Sequence, residues 1–481
     1  MSNQKGGKYI ARGSYGCVYR PNLECPEGSL ENMNEISKII EIRNLNEEWK
    51  PVSEFNLDKI DPDNKYFIYP LEACRLTNEA INAEKEFFRC DLFKSRNRSH
   101  IIKNYINTIQ PNGGTVSYMR KLDLNFEENW HLYINLLIGL GILHKNRIYH
   151  RDIKEDNIVY TPVDGFRLID FGLTLGYESL PLVNNAKLDD DIKFHKQHIR
   201  EAVKAIPQIN RDVNRLTNEI RTNSSKSKIF RKPLTKIQEK IKKVKELRTI
   251  LQGMKSKEQY HREQLSIILD YRYSGWSDSK ESYMFWSKDF YILNKFLNEK
   301  EKLPIYDKDG SFKLGEYASF SGGLLDNAFN LYSQQILRIP KRTIEKMMIS
   351  YQTFLENTFA KQIYNSDEQF YRITRKAIET FDIFSIGLFL GSEYRKCTDR
   401  KKQNENYRND FRLMNENLLT LNPEDRPTID KVITDFMKIV KINLLDTNFL
   451  PKHKVKFENL IRDIEEQEIC SREQIQEIRS S

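Results

Sequence analysis

The chain has 481 residues, of which 30% are charged and 39% hydrophobic, and a formal net charge of +9. This length exceeds one ordinary domain of about 100–200 residues, and the composition suits a soluble globular protein with some solvated helical segments. The six cysteines, Cys17, Cys25, Cys74, Cys90, Cys397 and Cys470, are scattered without a C-x-x-C pair, which argues against zinc ribbons and disulfide frameworks and for a reducing intracellular setting.

The charge is uneven. Residues 191–260 hold 19 Lys/Arg against 7 Asp/Glu, an excess of +12 that leaves the remainder near −3. A basic partner-binding surface therefore belongs to that segment and not to the whole chain. Met1 to Gly7 lacks the apolar core of a signal peptide, and the longest apolar stretch, residues 131–143, is too short to span a bilayer. The expectation is an intracellular, cytoplasmic protein with no transmembrane segment.

Residues 9–19 alternate apolar and small side chains around Gly13 and Gly16 and read as strand, tight turn and strand. Glycine lets such a turn approach phosphate oxygens without a Cβ in the way, although a plain hairpin has the same pattern. Residues 35–40 form a short strand on which Lys38 shares a face with Ile36 and Ile40. An inward-pointing charge there calls for a partner; a lysine whose head reaches solvent is the alternative. Residues 44–60 read as helical and offer Glu47, Glu48 and Glu54, followed by an expected strand at 65–69. Residues 75–100 are a polar, helical insertion before a strand at 101–109, which Pro111-Asn112-Gly113-Gly114 ends. Residues 126–146 read as a long amphipathic helix with Trp130, Tyr133, Leu137 and Leu140 on one stripe.

That helix leads into His150-Arg151-Asp152-Ile153-Lys154-Glu155-Asp156-Asn157, and Asp170-Phe171-Gly172 follows after a hairpin turned at Asp164-Gly165. Two carboxylates and an amide on short loops make a site for a divalent metal and a phosphoryl group. The pair of motifs resembles the catalytic-loop and metal-loop signatures of eukaryotic-type protein kinases. The resemblance implies that Asp152 orients the acceptor hydroxyl and receives its proton, that Lys154 sits beside the transferring phosphate, and that Asn157 and Asp170 hold Mg²⁺, with Mn²⁺ as the substitute. The D-x-K form resembles the serine/threonine branch.

The same resemblance makes residues 9–19 a nucleotide lid, with Ile10, Ala11, Gly13, Gly16 and Val18 around ATP; Ala11 departs from the glycine of the G-x-G-x-x-G-x-V pattern. It makes Lys38 the lysine on the α- and β-phosphates. Glu54, sixteen residues further on, is its expected carboxylate partner by family spacing, and a solvated helix glutamate is the alternative. Phe381-Asp382-Ile383-Phe384-Ser385-Ile386-Gly387 resembles the D-x-x-S-x-G helix start, which implies that Asp382 accepts from backbone N–H groups near His150 and Arg151. Asn422-Pro423-Glu424-Asp425-Arg426-Pro427-Thr428 resembles the late N-P-x-x-R-P-T signature, with Asp289 as the suggested partner of Arg426.

The expected fold is α+β and bilobal, a small β-rich N-terminal lobe and a large helical C-terminal lobe with long helical insertions. The expected boundaries are 1–110 for the N-lobe, 111–190 for the start of the C-lobe, 191–260 for a basic helical hairpin, 261–445 for the rest of the C-lobe with a second insertion at about 291–380, and 446–481 for a helical tail. Within the hairpin, Ile206, Ile209, Val213, Leu216 and Ile220 recur at steps of three and four, as do Leu234, Ile237, Ile241, Val244, Leu247 and Leu251. Pro207 and Pro233 are expected near the helix starts and residues 222–227 in the connecting loop. Its basic face suits an acidic partner or nucleic acid, and a merely solvated lysine-rich surface is the bland reading. Within the second insertion, Asp307-Lys308-Asp309-Gly310 reads as a turn and residues 341–364 as a helix.

The leading expectation is an ATP-dependent serine/threonine kinase acting on protein substrates; the alternative is a pseudokinase scaffold or adaptor working through the basic insertion. The inserts and the Asn/Ile/Lys bias also look similar to kinases of large double-stranded DNA viruses, which implies host cytoplasm or virion.

Overall fold

Short alternating runs of β-branched and aromatic residues build an antiparallel sheet from β1 (Lys8–Arg12), β2 (Gly16–Arg20), β3 (Glu35–Glu41), β4 (Glu72–Arg75) and β5 (Tyr105–Pro111), in the order β1-β2-β3-β5-β4. The computed structural model describes residues 8–12, 16–26, 32–114, 125–176, 186–227, 234–272, 375–397, 404–420 and 422–481, with isolated positions 345 and 349. The chain divides into two compact units, Met1–Tyr177 with Lys280–Ser481, and Glu178–Ser279.

In the first unit β3 runs through a single 3₁₀ turn into α1 (Leu45–Ser53), which a left-handed Asn56 separates from α2 (Leu57–Ile60). The strand expected at 65–69 is not a ladder strand. The Asp61 carboxylate accepts from the backbone N–H groups of Lys65, Tyr66 and Phe67 at 2.8–2.9 Å, and only an isolated bridge joins Phe67 to Leu168. The insertion folds as α3 (Asn78–Ala83), a 3₁₀ turn at Phe87–Arg89 and α4 (Arg98–Asn104), so β5 begins four residues later than the sequence suggests.

This insertion covers one face of the sheet. Alternation along β2 turns Cys17 and Tyr19 toward it, where they share a core with Leu76, Phe87, Cys90, Phe93 and Tyr105. Disulfides join Cys17 to Cys90 and Cys25 to Cys74, across 73 and 49 residues. This corrects the expectation of unpaired cysteines. Pairs so far apart leave no spacing signature, and the argument from cysteines for a reducing setting does not hold.

The second lobe is helical. α5 (Trp130–Lys145) is buried on nearly every side and is not the amphipathic helix expected, because the strand at Gly165–Leu168 and the helices at Ile429–Val440 and Lys454–Glu466 all pack around it. β6 (Ile148–Tyr149) pairs with β9 (Leu175–Gly176), and β7 (Ile158–Thr161) with β8 (Gly165–Leu168), flanking the two loops that carry the motifs. After the hairpin unit come α8 (Phe381–Cys397), α9 (Glu405–Leu418), α10 (Ile429–Val440), α11 (Lys454–Glu466) and α12 (Arg472–Ser480). The last two helices are no loose tail, since Phe457, Ile461, Ile464, Ile475 and Ile478 are buried in the same core as Trp130 and Leu137. Sheet lobe plus helical lobe is the bilobal α+β architecture expected.

The second unit contains α6 (Ala186–Ser227) and α7 (Leu234–Arg272), which lie antiparallel: Glu219 meets Lys240 at 2.6 Å near one end and His195 meets His261 near the other. (These two helices precede α8 in the chain.) Val213, Leu216 and Val244 form the buried seam, with Ile209, Ile220 and Leu247 against it. Two expectations are corrected: Pro207 lies inside α6, not at its start, and residues 222–227 continue the helix. Asp307–Gly310, the helix expected at 341–364 and Asp289 lie outside the described residues, apart from the isolated positions 345 and 349. Among the described residues no helix is long and apolar enough to cross a membrane.

Candidate active site

Register across the sheet sets the first group of residues. Ala11 pairs with Val18, Val18 with Lys38 and Lys38 with Thr108, so these four lie in one row. Directly paired residues point to the same face, which places them opposite Cys17 and Tyr19. Ile10 falls at the bulge between Tyr9 and Ala11 and is exposed. A Cβ on Gly16 would collide with the Ile39 carbonyl and the Ile40 side chain, so the packing of β2 on β3 requires this glycine. Gly13 lies outside the described residues.

The Lys38 ammonium is bonded to Glu48, with Nζ 2.6 Å from Oε2. Glu54 is not its partner: it is 42% exposed and stands 3.9 Å from Lys50. The reason is helix register. α1 starts almost directly after β3, which brings its first turn, with Glu47 and Glu48, back toward the strand. Glu54 lies six residues on, about 9 Å further along the axis and on another face.

The loop after β6 is pinned from below. Asp382, at the start of α8 and fully buried, accepts from His150 N at 2.8 Å and Arg151 N at 2.7 Å, and its Oδ2 is 3.1 Å from His144 Nε2. Burial alone would raise the Asp382 carboxyl, but the His144 hydrogen bond, the charges of His144 and His150 and the Arg151 N–H hold it below the usual carboxylate range. With its N–H so fixed, Arg151 takes a left-handed φ of 64°. Arg151 Nη1 donates to Leu173 O at 3.4 Å.

One oxygen gathers the next three residues. Asp152 Oδ2 accepts from Lys154 Nζ at 2.8 Å and from Asn157 Nδ2 at 2.7 Å, and Asn157 Nδ2 also reaches Asp152 O at 2.8 Å. Asp152 and Asn157 are buried. Asn157 O in turn accepts from Ile169 N at 3.0 Å, which ties this loop to the residue before Asp170. Asp170 is exposed, with a left-handed φ of 63°. Phe171 lies between Phe67 and His150, with ring centroids 5.9 and 4.9 Å away, so the loop beyond Asp170 is held by packing.

Among the described residues no three His, Cys, Asp or Glu side chains converge on a metal. The kinase arrangement does not need three. With Asn157 Nδ2 committed to Asp152, its Oδ1 is the amide atom left to act as a hard oxygen donor, the exposed Asp170 carboxylate is a second, and phosphate and water oxygens would supply the remaining ligands. The donor set fits Mg²⁺.

Three residues escaped sequence reading. Glu48 is one of three glutamates that residues 44–60 offer, with nothing local to single it out, and His144 reads only as the end of the stripe on the helix at 126–146. Buried Arg167 on β8 donates to Asn64 O at 3.3 Å and Asn112 O at 3.2 Å, joining β8 to the segments after α2 and after β5. Arg426 is buried too, and donates to Thr420 O at 3.1 Å and Thr380 O at 3.2 Å.

The protein kinase domain family matches residues 89–187, the segment that holds both loops. The chain is 39% identical over 71 residues to a membrane-associated tyrosine- and threonine-specific cdc2-inhibitory kinase of Caenorhabditis elegans, covering 15% of each chain. It is 27% identical over 171 residues to a probable serine/threonine-protein kinase of Dictyostelium discoideum, covering 35% of this chain and 22% of that one. A serine/threonine-protein kinase of Schizosaccharomyces pombe is 28% identical over 172 residues, 35% of this chain and 11% of its own. The matches thus span between about a tenth and a quarter of these relatives.

Proposed function

Because the chain belongs to the eukaryotic-type protein kinase superfamily, we propose that it transfers the γ-phosphate of Mg-ATP to serine and threonine hydroxyls of protein substrates. The observation that carries the reading is the convergence of Lys154 and Asn157 on one oxygen of Asp152. Two donors on Oδ2 fix the plane of the carboxylate, as in-line transfer requires of the group that orients an attacking hydroxyl. Asp152 would take the hydroxyl proton as the bond from the substrate oxygen to the γ-phosphorus forms and the bond from that phosphorus to the β–γ bridging oxygen breaks, releasing ADP. Lys154 would offset the negative charge of the transferring group. Lys38, braced by Glu48, would meet the α- and β-phosphates from the sheet row that it shares with Ala11 and Val18, and those two residues with Ile10, Gly13 and Gly16 would line the nucleotide. Asn157 and Asp170 would hold Mg²⁺, which would neutralise phosphate charge. Serine/threonine preference rests on Lys154 and on two of the relatives being named as serine/threonine-protein kinases.

The test is phosphoryl transfer to a generic protein substrate by purified wild type, Asp152→Asn and Lys38→Met. Each variant should lose about 100-fold or more. If folded wild type transfers no more than Asp152→Asn with Mg²⁺ or Mn²⁺, the enzyme reading fails. Ala11, in place of a lid glycine, favours a second reading, a pseudokinase scaffold; nucleotide binding without transfer would select it.

A further inference from the structure

The kinase reading uses none of the histidines in the Glu178–Ser279 unit. His195 and His198, one turn apart on α6, meet His261 of α7. The Nδ1 atoms of His195 and His261 are 2.8 Å apart, and the rings of His198 and His261 stack with centroids at 4.6 Å. Phe194 packs edge-on against His198 at 4.5 Å, and Tyr260 packs against His261 at 5.4 Å. His261 is buried, and Glu201 Oε2 stands 3.4 Å from His198 Nδ1.

Elsewhere this seam is aliphatic, with Val213, Leu216 and Val244 inside it. Apolar packing does not select three touching imidazoles, each with two polar nitrogens to satisfy. The Nδ1···Nδ1 contact also needs one nitrogen to carry a proton and the other a lone pair aimed at it. Histidines at i and i+3 on one helix, opposed by a third on its antiparallel partner, present ligands inward as helical bundles do.

We propose that His195, His198 and His261 form a binding site for a divalent transition metal of the zinc type, the ion replacing the proton shared by the two Nδ1 atoms. That proton moves to Nε2 of the same ring, so both imidazoles bind through Nδ1 as neutral Nε2–H tautomers. As they stand, no three such side chains among the described residues already meet at one metal-sized point. Closure requires the two Nδ1 atoms to part from 2.8 Å to about 3.3 Å, the spacing set by metal–nitrogen bonds of about 2.0–2.1 Å at a tetrahedral ion. It also requires the His198 ring to turn about χ2, a broad torsion. Glu201 at Nδ1 orients His198 so that Nε2 becomes the ligating nitrogen. Solvent takes the fourth position.

The experiment adds Co²⁺, as a spectroscopic stand-in for Zn²⁺, to the full-length chain at neutral pH. The expected result is a visible d–d band of tetrahedral intensity that saturates at one ion per chain and disappears when Zn²⁺ is added. His195→Gln and His261→Gln should each weaken Co²⁺ binding by about tenfold or more, whereas His100→Gln, at an exposed histidine of the other unit, should not. His198→Cys should keep binding and add a thiolate-to-metal charge-transfer band, a gain of signal that does not depend on how well the glutamine variants fold. No band in wild type, a band untouched by the three His variants, or a thiolate band in wild type would overturn the proposal; the last would place the ion on Cys470 or another thiol.

Discussion

In the N-terminal lobe a thin layer of short helices covers one side of a five-stranded sheet; the Cys17–Cys90 disulfide ties β2 to that layer, and Cys25–Cys74 ties the segment after β2 to β4. In the helical lobe α5 is enclosed by one continuous apolar core that reaches from Trp130 to Ile478, with no disulfide among the described residues. A small layer has little apolar area to bury per residue, so cross-links supply what burial does not. The large lobe has burial in excess, and its polar groups are free to fix geometry. Asp382 joins Arg151 across 231 residues, and Asn404 N–H reaches the buried Glu127 across 277.

The comparison breaks most visibly at Asp382. Replacing it with alanine leaves the N–H groups of His150 and Arg151 buried without their acceptor, at about 1–3 kcal/mol each, and frees the backbone that aims Asp152. Asp382→Ala should lower phosphoryl transfer by about 100-fold or more and shift the denaturant midpoint down. Full activity with a lower midpoint would mean that Asp382 stabilises without positioning.

Glu48 tests positioning in the other lobe. Glu48→Gln should reduce kcat/KM about tenfold or more by releasing Lys38, while Glu54→Gln should stay within about twofold. Equal losses would return Glu54 to the site.

Cross-linking comes next. With Cys17, Cys25, Cys74 and Cys90 cross-linked, non-reduced, denatured protein should show no more than two free thiols of its six cysteines, and reduction should destabilise the N-lobe by about 2–4 kcal/mol. Cys17→Ala with Cys90→Ala should reproduce most of that loss and loosen nucleotide binding, since Cys17 adjoins Gly16. Six free thiols in the untreated protein would remove the cross-links and with them the contrast between lobes.

What the sequence made legible follows the same division. The catalytic loop was readable because its residues are contiguous and their chemistry is explicit. Asp382 was readable because the motif that holds it is local. Lys38 could be placed on its strand, but its partner depended on how soon α1 starts after β3, a matter of one 3₁₀ turn. The false strand at 65–69 had the right residue types; Asp61 took the N–H groups that a ladder would have used. The cysteine pairs were invisible because nothing in a separation of 73 residues encodes a bond. Helical spacing marked the residues that meet along the hairpin, but Pro207 read as a start signal because a long helix tolerates an interior proline where the lost bond can be left exposed.

The smallest effect is a pH dependence confined to the helical lobe. Burial pushes the Glu127 carboxyl up to about 7, only partly offset by the Asn404 N–H and by Arg408. A folded-state value above the unfolded one means that folding takes up a proton between about pH 4.5 and 7, so this group's contribution falls as pH rises through that window and is flat above it. Glu127→Gln keeps an acceptor for Asn404 and cannot ionise. The stability of wild type minus that of Glu127→Gln should therefore decline from pH 4.5 to 7 by no more than about 2–3 kcal/mol. Chemical unfolding at half-unit pH steps measures it. A difference that rises with pH would show that the ionised carboxylate is the form the fold prefers, with Arg408 and the Asn404 N–H outweighing burial.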